Sequence, residues 1–159
     1  MLNVNIICVG NLKEKFFSDA VSEYSKRLSR YCRFSVIELP EEKTTDQSTP
    51  AVIEKTLLKE GERILSKIGK SDYVIAMCIE GKIISSEELS QKLQDISMQS
   101  GTVDFVIGGS WGLSNDVKNR ADMKLSVSKM TFPHQLFRVM LCEQIYRAFS
   151  ISANAKYHK

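Results

Sequence analysis

The chain has 159 residues, enough for one domain with a sizeable core, and its 43% hydrophobic and 26% charged composition is that of an ordinary globular protein. With 22 basic against 19 acidic residues the net charge is only +3, which excludes the strongly basic footprint of a bare nucleic-acid binder but not a local patch. Four cysteines without a C-x-x-C pair and only two histidines give no support to a zinc site or a disulfide framework.

The first run, residues 3–9 (NVNIICV), is apolar and stops at Gly10, which predicts a buried strand. Met1 to Gly10 lacks a basic lead and is too short for a signal peptide or a membrane span, so a cytoplasmic protein with buried, reduced thiols is expected. From Lys13 to Tyr31, the residues Phe16, Ala20, Tyr24, Leu28 and Tyr31 recur at helical spacing. The opposite face mixes Lys13, Lys15, Lys26, Arg27 and Arg30 with Glu14, Asp19 and Glu23, as a solvated surface does. Phe34 to Leu39 reads as a second strand, stopped by Pro40. The polar stretch 40–50 (PEEKTTDQSTP) reads as an exposed loop. Helical period returns from Ala51 to Ile68, and Gly69 should end it.

The alternation continues. Tyr73 to Ile79 is a near-continuous apolar strand followed by a loop at Glu80-Gly81-Lys82, and Ser85 with Glu88 has capping-box spacing before a helix reaching Met98. Thr102 to Ile107 predicts a strand that runs into Gly108-Gly109-Ser110-Trp111-Gly112. A short helix over Ser114 to Ala121 and a strand from Met123 to Val127 come next. Lys129 to Phe132 form a turn, and Pro133 opens a helix to Phe149 whose core face is Leu136, Phe137, Met140, Leu141, Ile145 and Phe149. Apolar strands alternating with helices specify an α/β fold, a parallel sheet covered by helices on both faces, in one domain spanning 1–159.

Ligands of such sheets bind beyond the carboxyl ends of the strands. Three loops qualify: Glu80 to Lys82, Gly108 to Gly112, and Ser128 to Phe132. Gly108-Gly109 lie between a strand and a helix, as a nucleotide-like ligand requires, but the spacing is not G-x-G-x-x-G, and a ligand-free tight turn fits equally well. Trp111 reads as a cap on the core edge, with base stacking as the functional alternative. His134 and Arg138 are four apart and share a helical face near these loops, where they could hold a phosphate or polarise a base. Glu143 and Arg147 have the spacing of an ordinary helix ion pair. The tail, Asn154 to Lys159, is basic and aromatic; it is either frayed or a contact for a nucleobase and its phosphates.

The segments VIGGSWGLS and LSVSKMTFPHQLFRVMLCEQIYRAF, the closing YHK and the opening CVGNLKEKF resemble the RlmH family along the whole chain. These are SPOUT-class methyltransferases that modify N3 of a pseudouridine in large-subunit ribosomal RNA. The resemblance implies a C-terminal trefoil knot, which periodicity could not have shown and general topology argues against. It also implies an S-adenosylmethionine pocket made from Met77, Gly108, Gly109 and the run Val127, Ser128, Lys129, Met130, Thr131 and Phe132. A homodimer acting on the intact ribosome is implied as well, with no metal and no membrane. Within that frame His134 and Arg138 are the candidates for catalysis, and Tyr157, His158 and Lys159 for contact with RNA. A SPOUT enzyme acting on transfer RNA, a ribosome-binding factor that kept the fold without catalysis, and a dinucleotide-dependent oxidoreductase are the competing readings.

Overall fold

Strand β1 (Asn3–Val9) buries both of its faces, as a β-branched run without charges should. The computed structural model describes residues 1–45 and 47–156. After β1 the chain continues through α1 (Lys15–Leu28), β2 (Arg33–Leu39), α2 (Pro50–Leu65), β3 (Tyr73–Ile83), α3 (Ser86–Gln99), β4 (Thr102–Ile107), α4 (Asn115–Arg120), β5 (Met123–Ser126) and α5 (His134–Ser152). The strands form one sheet in the order β2-β1-β4-β3-β5, and every pairing is parallel. The expected α/β architecture is therefore what the sequence folds into.

Period-two alternation sends neighbouring residues to opposite faces. Val4, Ile6 and Cys8 pack with Phe105, Leu93, Leu141 and Ile145 beneath α1, α3 and α5. Ile7, Val9, Ala76 and Val106 pack with Ile64 and Val117 beneath α2 and α4. Helix starts follow the local chemistry. Thr49 caps α2 through Val52 N–H with Pro50 at the first turn, and α3 has the full capping box: Glu88 N–H donates to Ser85 Oγ at 3.1 Å while Ser85 N–H donates to Glu88 Oε2 at 2.7 Å.

Three expectations change. Helix α2 closes at Leu65, with Ser66 as its cap, before Gly69 is reached. Glu80-Gly81-Lys82 is not a loop beyond the strand. Strand β3 runs on to Ile83, and both Met77 and Lys82 register with Leu125 of β5, so residues 78–81 bulge out of the ladder. A Cβ on Gly81 would lie 2.5 Å from the Leu125 carbonyl carbon, so glycine is what lets the bulge close onto β5. On α5 the buried stripe is Arg138, Leu141, Cys142, Ile145 and Ala148, whereas Leu136 is 38% exposed. Leu136 lies two positions from Arg138, about 200° around the helix, which carries it off the sheet-facing side.

The expected one-turn ion pair Arg147–Glu143 forms at 2.7 Å, and the charged face of α1 carries two more of the same spacing, Lys15–Asp19 (2.6 Å) and Arg27–Glu23 (3.1 Å). Cys8, Cys32 and Cys142 are buried and free, with burial pushing their thiols up to about 11, 12 and 12, so they are core residues and not nucleophiles.

One buried acid makes the fold pH-sensitive. Asp104 on β4 is fully buried, accepts from Asn5 Nδ2 at 2.8 Å and faces Asp72. Burial, with Asp72 adding to it, pushes its carboxyl from 3.8 up to about 6. Stability that is complete while the acid stays neutral, below about pH 4, is lost as pH rises through about 6. Asp104→Asn keeps the acceptor for Asn5 and removes the ionisation cost. The variant is expected to be more stable by about 2 kcal/mol near neutral pH and indistinguishable at about pH 4, read by urea unfolding.

Candidate functional site

The carboxyl ends of β4 and β5 and the bulge of β3 enclose a cavity of about 520 Å³, within the size range of small-molecule sites. Its floor is Met77, Ile107 and Leu125; its walls are Gly108 to Leu113 on one side and Val127, Ser128, Met130, Thr131 and Phe132 on the other. Cys78, Ile79 and Glu80 of the bulge and His134 and Phe137 of α5 complete it.

Most of the lining residues are apolar or glycine, with Glu80, Lys118 and His134 as the acidic and basic side chains. Gly112 N–H donates to Gly109 O at 3.0 Å, closing a tight turn that lifts Ser110 and Trp111 to its tip, and Gly112 takes φ +85°. A Cβ on Gly108 would collide with the carbonyl oxygen of Gly112, so only glycine permits this closed loop. The opposite wall is self-braced: Ser126 Oγ donates to Ser128 O at 2.9 Å, and Met130 N–H donates to Ser128 Oγ at 3.0 Å. Each loop is thus braced by hydrogen bonds of its own, and such bracing lowers the entropy lost on binding.

Two ionic features mark the rim. Lys118 of α4 pairs with Glu80 at 2.5 Å, and its hydrogen bond holds the Glu80 carboxyl below the usual range. His134 is exposed at the first residue of α5, where unpaired helix amides also point. The result is an apolar slot with backbone donors and acceptors along its walls and a basic helix start at its mouth.

Of the expected pocket residues, Met77, Gly108, Gly109, Val127, Ser128, Met130, Thr131 and Phe132 line the cavity together. Lys129 does not: it is exposed on the outside of the same turn, because Ser128 and Met130 take the inward positions. Arg138 also departs from expectation. It is 2% exposed, its Nη1 donates to Glu38 Oε2 at 2.8 Å and its Nη2 to Gly10 O at 3.1 Å, behind the cavity and not in it. One helical turn apart, the two residues have different surroundings: His134 lines the cavity and Arg138 is buried against Glu38 and Gly10. Tyr157, His158 and Lys159 lie outside the described residues.

Trp111 is not a core cap. It is 37% exposed, lines the cavity and donates from Nε1 to Thr44 Oγ1 at 2.9 Å. A lone tryptophan set in a polar glycine loop is the signal the sequence carries for it. The Lys118–Glu80 pair had no sequence signal, since it joins a bulge to a distant helix. Among the described residues there is no cluster of His, Cys, Asp or Glu able to hold a metal ion and no helix long and apolar enough to cross a membrane.

The sequence profile described as "Predicted SPOUT methyltransferase" matches residues 2–158. The protein named Ribosomal RNA large subunit methyltransferase H of Clostridium acetobutylicum is 52% identical over 159 residues, covering 99% of this chain and all of the relative. The proteins of that name from Clostridium perfringens (strain 13) and Streptococcus uberis are 54% and 50% identical with the same coverage. A solved structure of a methylase family protein from Neisseria gonorrhoeae superposes with a TM-score of 0.53 at 10% identity, over 91% of this chain and 82% of that one, a likeness of fold alone.

Proposed function

Because the chain belongs to the RlmH family of SPOUT methyltransferases, we propose that it takes S-adenosylmethionine into the glycine-walled cavity and methylates N3 of a pseudouridine in large-subunit ribosomal RNA, in the cytoplasm. The observation that carries this reading is the cavity: loops far apart in sequence, 77–80, 108–113 and 126–132, close around one slot. Its fit to the donor rests on Gly108, where a Cβ would occupy the wall, and on backbone polar groups beside apolar Met77 and Leu125.

Bound in this slot, S-adenosylmethionine supplies an electrophilic methyl carbon. The chain's own residues then have three tasks. The loops 108–112 and 126–132 fix the donor's orientation, which turns a bimolecular encounter into a near-unimolecular step. The start of α5, with unpaired amides at the cavity mouth, would favour a developing N3 anion there. His134, exposed at the mouth, would take the N3 proton, and the bound donor would supply the methyl group that N3 gains. His134→Ala is expected to lower the single-turnover rate about a hundredfold with donor affinity unchanged, and an unchanged rate would remove His134 from this role.

The family resemblance further supports a homodimer, a trefoil knot in the C-terminal part of the single 1–159 domain, and RNA contact by Tyr157, His158 and Lys159. The modest charge of +3 favours the assembled ribosome, recognised by shape, over free RNA. The deciding experiment is mass spectrometry of ribosomal RNA from a deletion strain before and after the protein is restored. One methyl on a pseudouridine should disappear and return. Methylation of transfer RNA but not ribosomes would redirect the substrate, and calorimetry without heat from S-adenosylmethionine would leave a non-catalytic factor.

A further inference from the structure

Behind the Gly108–Gly112 wall lies a carboxyl group for which the reaction has no direct use. Glu60 of α2 is 3% exposed. Its Oε2 accepts from Glu42 N–H at 3.0 Å, while its Oε1 is buried with no hydrogen-bond partner. That free oxygen faces the pocket loop: a Cβ placed on Gly109 would lie 3.0 Å from Oε1 and 3.3 Å from Oε2. A bare buried carboxyl oxygen is costly, and it persists only where the surroundings are built around it.

The segment that Glu60 holds from its other side is the one that holds the wall. Residues 40–44, after β2, reach the loop twice, where Ser110 Oγ donates to Glu41 Oε1 at 3.0 Å and Trp111 Nε1 donates to Thr44 Oγ1 at 2.9 Å. Arg63, one turn beyond Glu60 on α2, pairs with Glu42 and donates from Nη1 to Pro40 O at 2.9 Å. One carboxyl therefore stands between the inner strap, Gly109, and the outer strap, Glu42 to Thr44, that keeps Trp111 at the cavity. Burial pushes the Glu60 carboxyl up from its ordinary range, with Glu41 and Glu42 adding to the shift and the Glu42 amide and Arg63 opposing it.

We infer that Glu60 is a positioning residue for methyl transfer, acting through Gly109 and the Glu42–Thr44 strap to hold the Trp111 wall of the donor pocket in place. The inference rests on the donor-pocket reading above. Glu60 does not line the cavity, so its removal should act on donor binding far more than on the chemical step. Side chains outside the cavity then set the affinity that the cavity displays.

Trp111 is the only tryptophan, so its emission reports the wall directly. Glu60→Ala is expected to raise the KM for S-adenosylmethionine about tenfold with kcat within about twofold, and to shift Trp111 emission to the red as the ring gains water. Glu60→Gln keeps an acceptor for Glu42 N–H at the same volume and should restore most of the affinity and the emission. Thr44→Val, which leaves Glu60 in place and removes only the partner of Trp111 Nε1, should give a smaller loss in the same direction and serves if Glu60→Ala does not fold. A Glu60→Ala protein that is less stable yet has wild-type KM and emission overturns the inference, as does a Thr44→Val protein with both unchanged. Absence of S-adenosylmethionine binding to the wild type fails the pocket reading instead, and calorimetry on the wild type separates the two.

Discussion

Gly108→Ala is expected to lower S-adenosylmethionine affinity at least about a hundredfold while leaving a folded protein. The added methyl would point straight at the Gly112 carbonyl, with the Gly112 Cα only 3.1 Å away. These are backbone atoms, so no side-chain rotation relieves the clash. The loop must open, and its closing bond, Gly112 N–H to Gly109 O, is the first to stretch. Opening swings Trp111 away from the cavity and pulls on Thr44. Overpacking of this kind costs about 1–3 kcal/mol where neighbours can shift, and here the shift falls on the donor site itself. Calorimetry with the donor, beside a urea curve for each protein, reads both quantities. Equal affinity with lowered stability would mean that the loop tolerates opening and that the donor sits elsewhere.

That prediction shows which part of the site was visible beforehand. Gly108 and Gly109 are legible as a tight turn between an apolar strand and a helix, which fits a ligand site and a ligand-free turn equally well, and only the family resemblance singles out the ligand. The strands and both helical faces were visible because burial imposes a period on the residues that create it. The β3 bulge was not, because its cause is a non-local approach: Gly81 is needed by Leu125, more than forty positions away. Lys129 sits inside a run whose neighbours line the cavity, and is itself exposed outside that lining, a difference that a run of matching residues does not carry. Glu60 carried no mark in the sequence. A glutamate at a buried helix position looks like any other, until Gly109 is found beside it.

Arg138 is the case where spacing was right and the partner was wrong, and it carries the largest expected effect on stability. Its guanidinium ties α5 to the ends of two strands, to Glu38 of β2 and to the carbonyl of Gly10 just past β1. Glu38 Oε2 also accepts from Leu12 N–H at 3.0 Å, so the carboxylate anchors the β1–α1 connection as well. Replacing the arginine with methionine keeps much of its volume but leaves the Gly10 carbonyl without this donor and Glu38 without its cation. Breaking a buried ion pair from one side costs about 3–5 kcal/mol; Glu38 is 38% exposed and can regain water, so about 3 kcal/mol is expected here. Glu38→Gln alone should cost less, about 1–2 kcal/mol, because the amide oxygen still accepts from Leu12 N–H. The double variant should recover part of the sum, since no unpaired charge remains. Urea unfolding of the four proteins measures this coupling. Donor affinity of folded Arg138→Met should stay within about twofold of wild type, because the side chain is absent from the cavity wall. A collapse of kcat at unchanged stability would instead put the guanidinium at the reacting atoms, as the helical spacing first suggested.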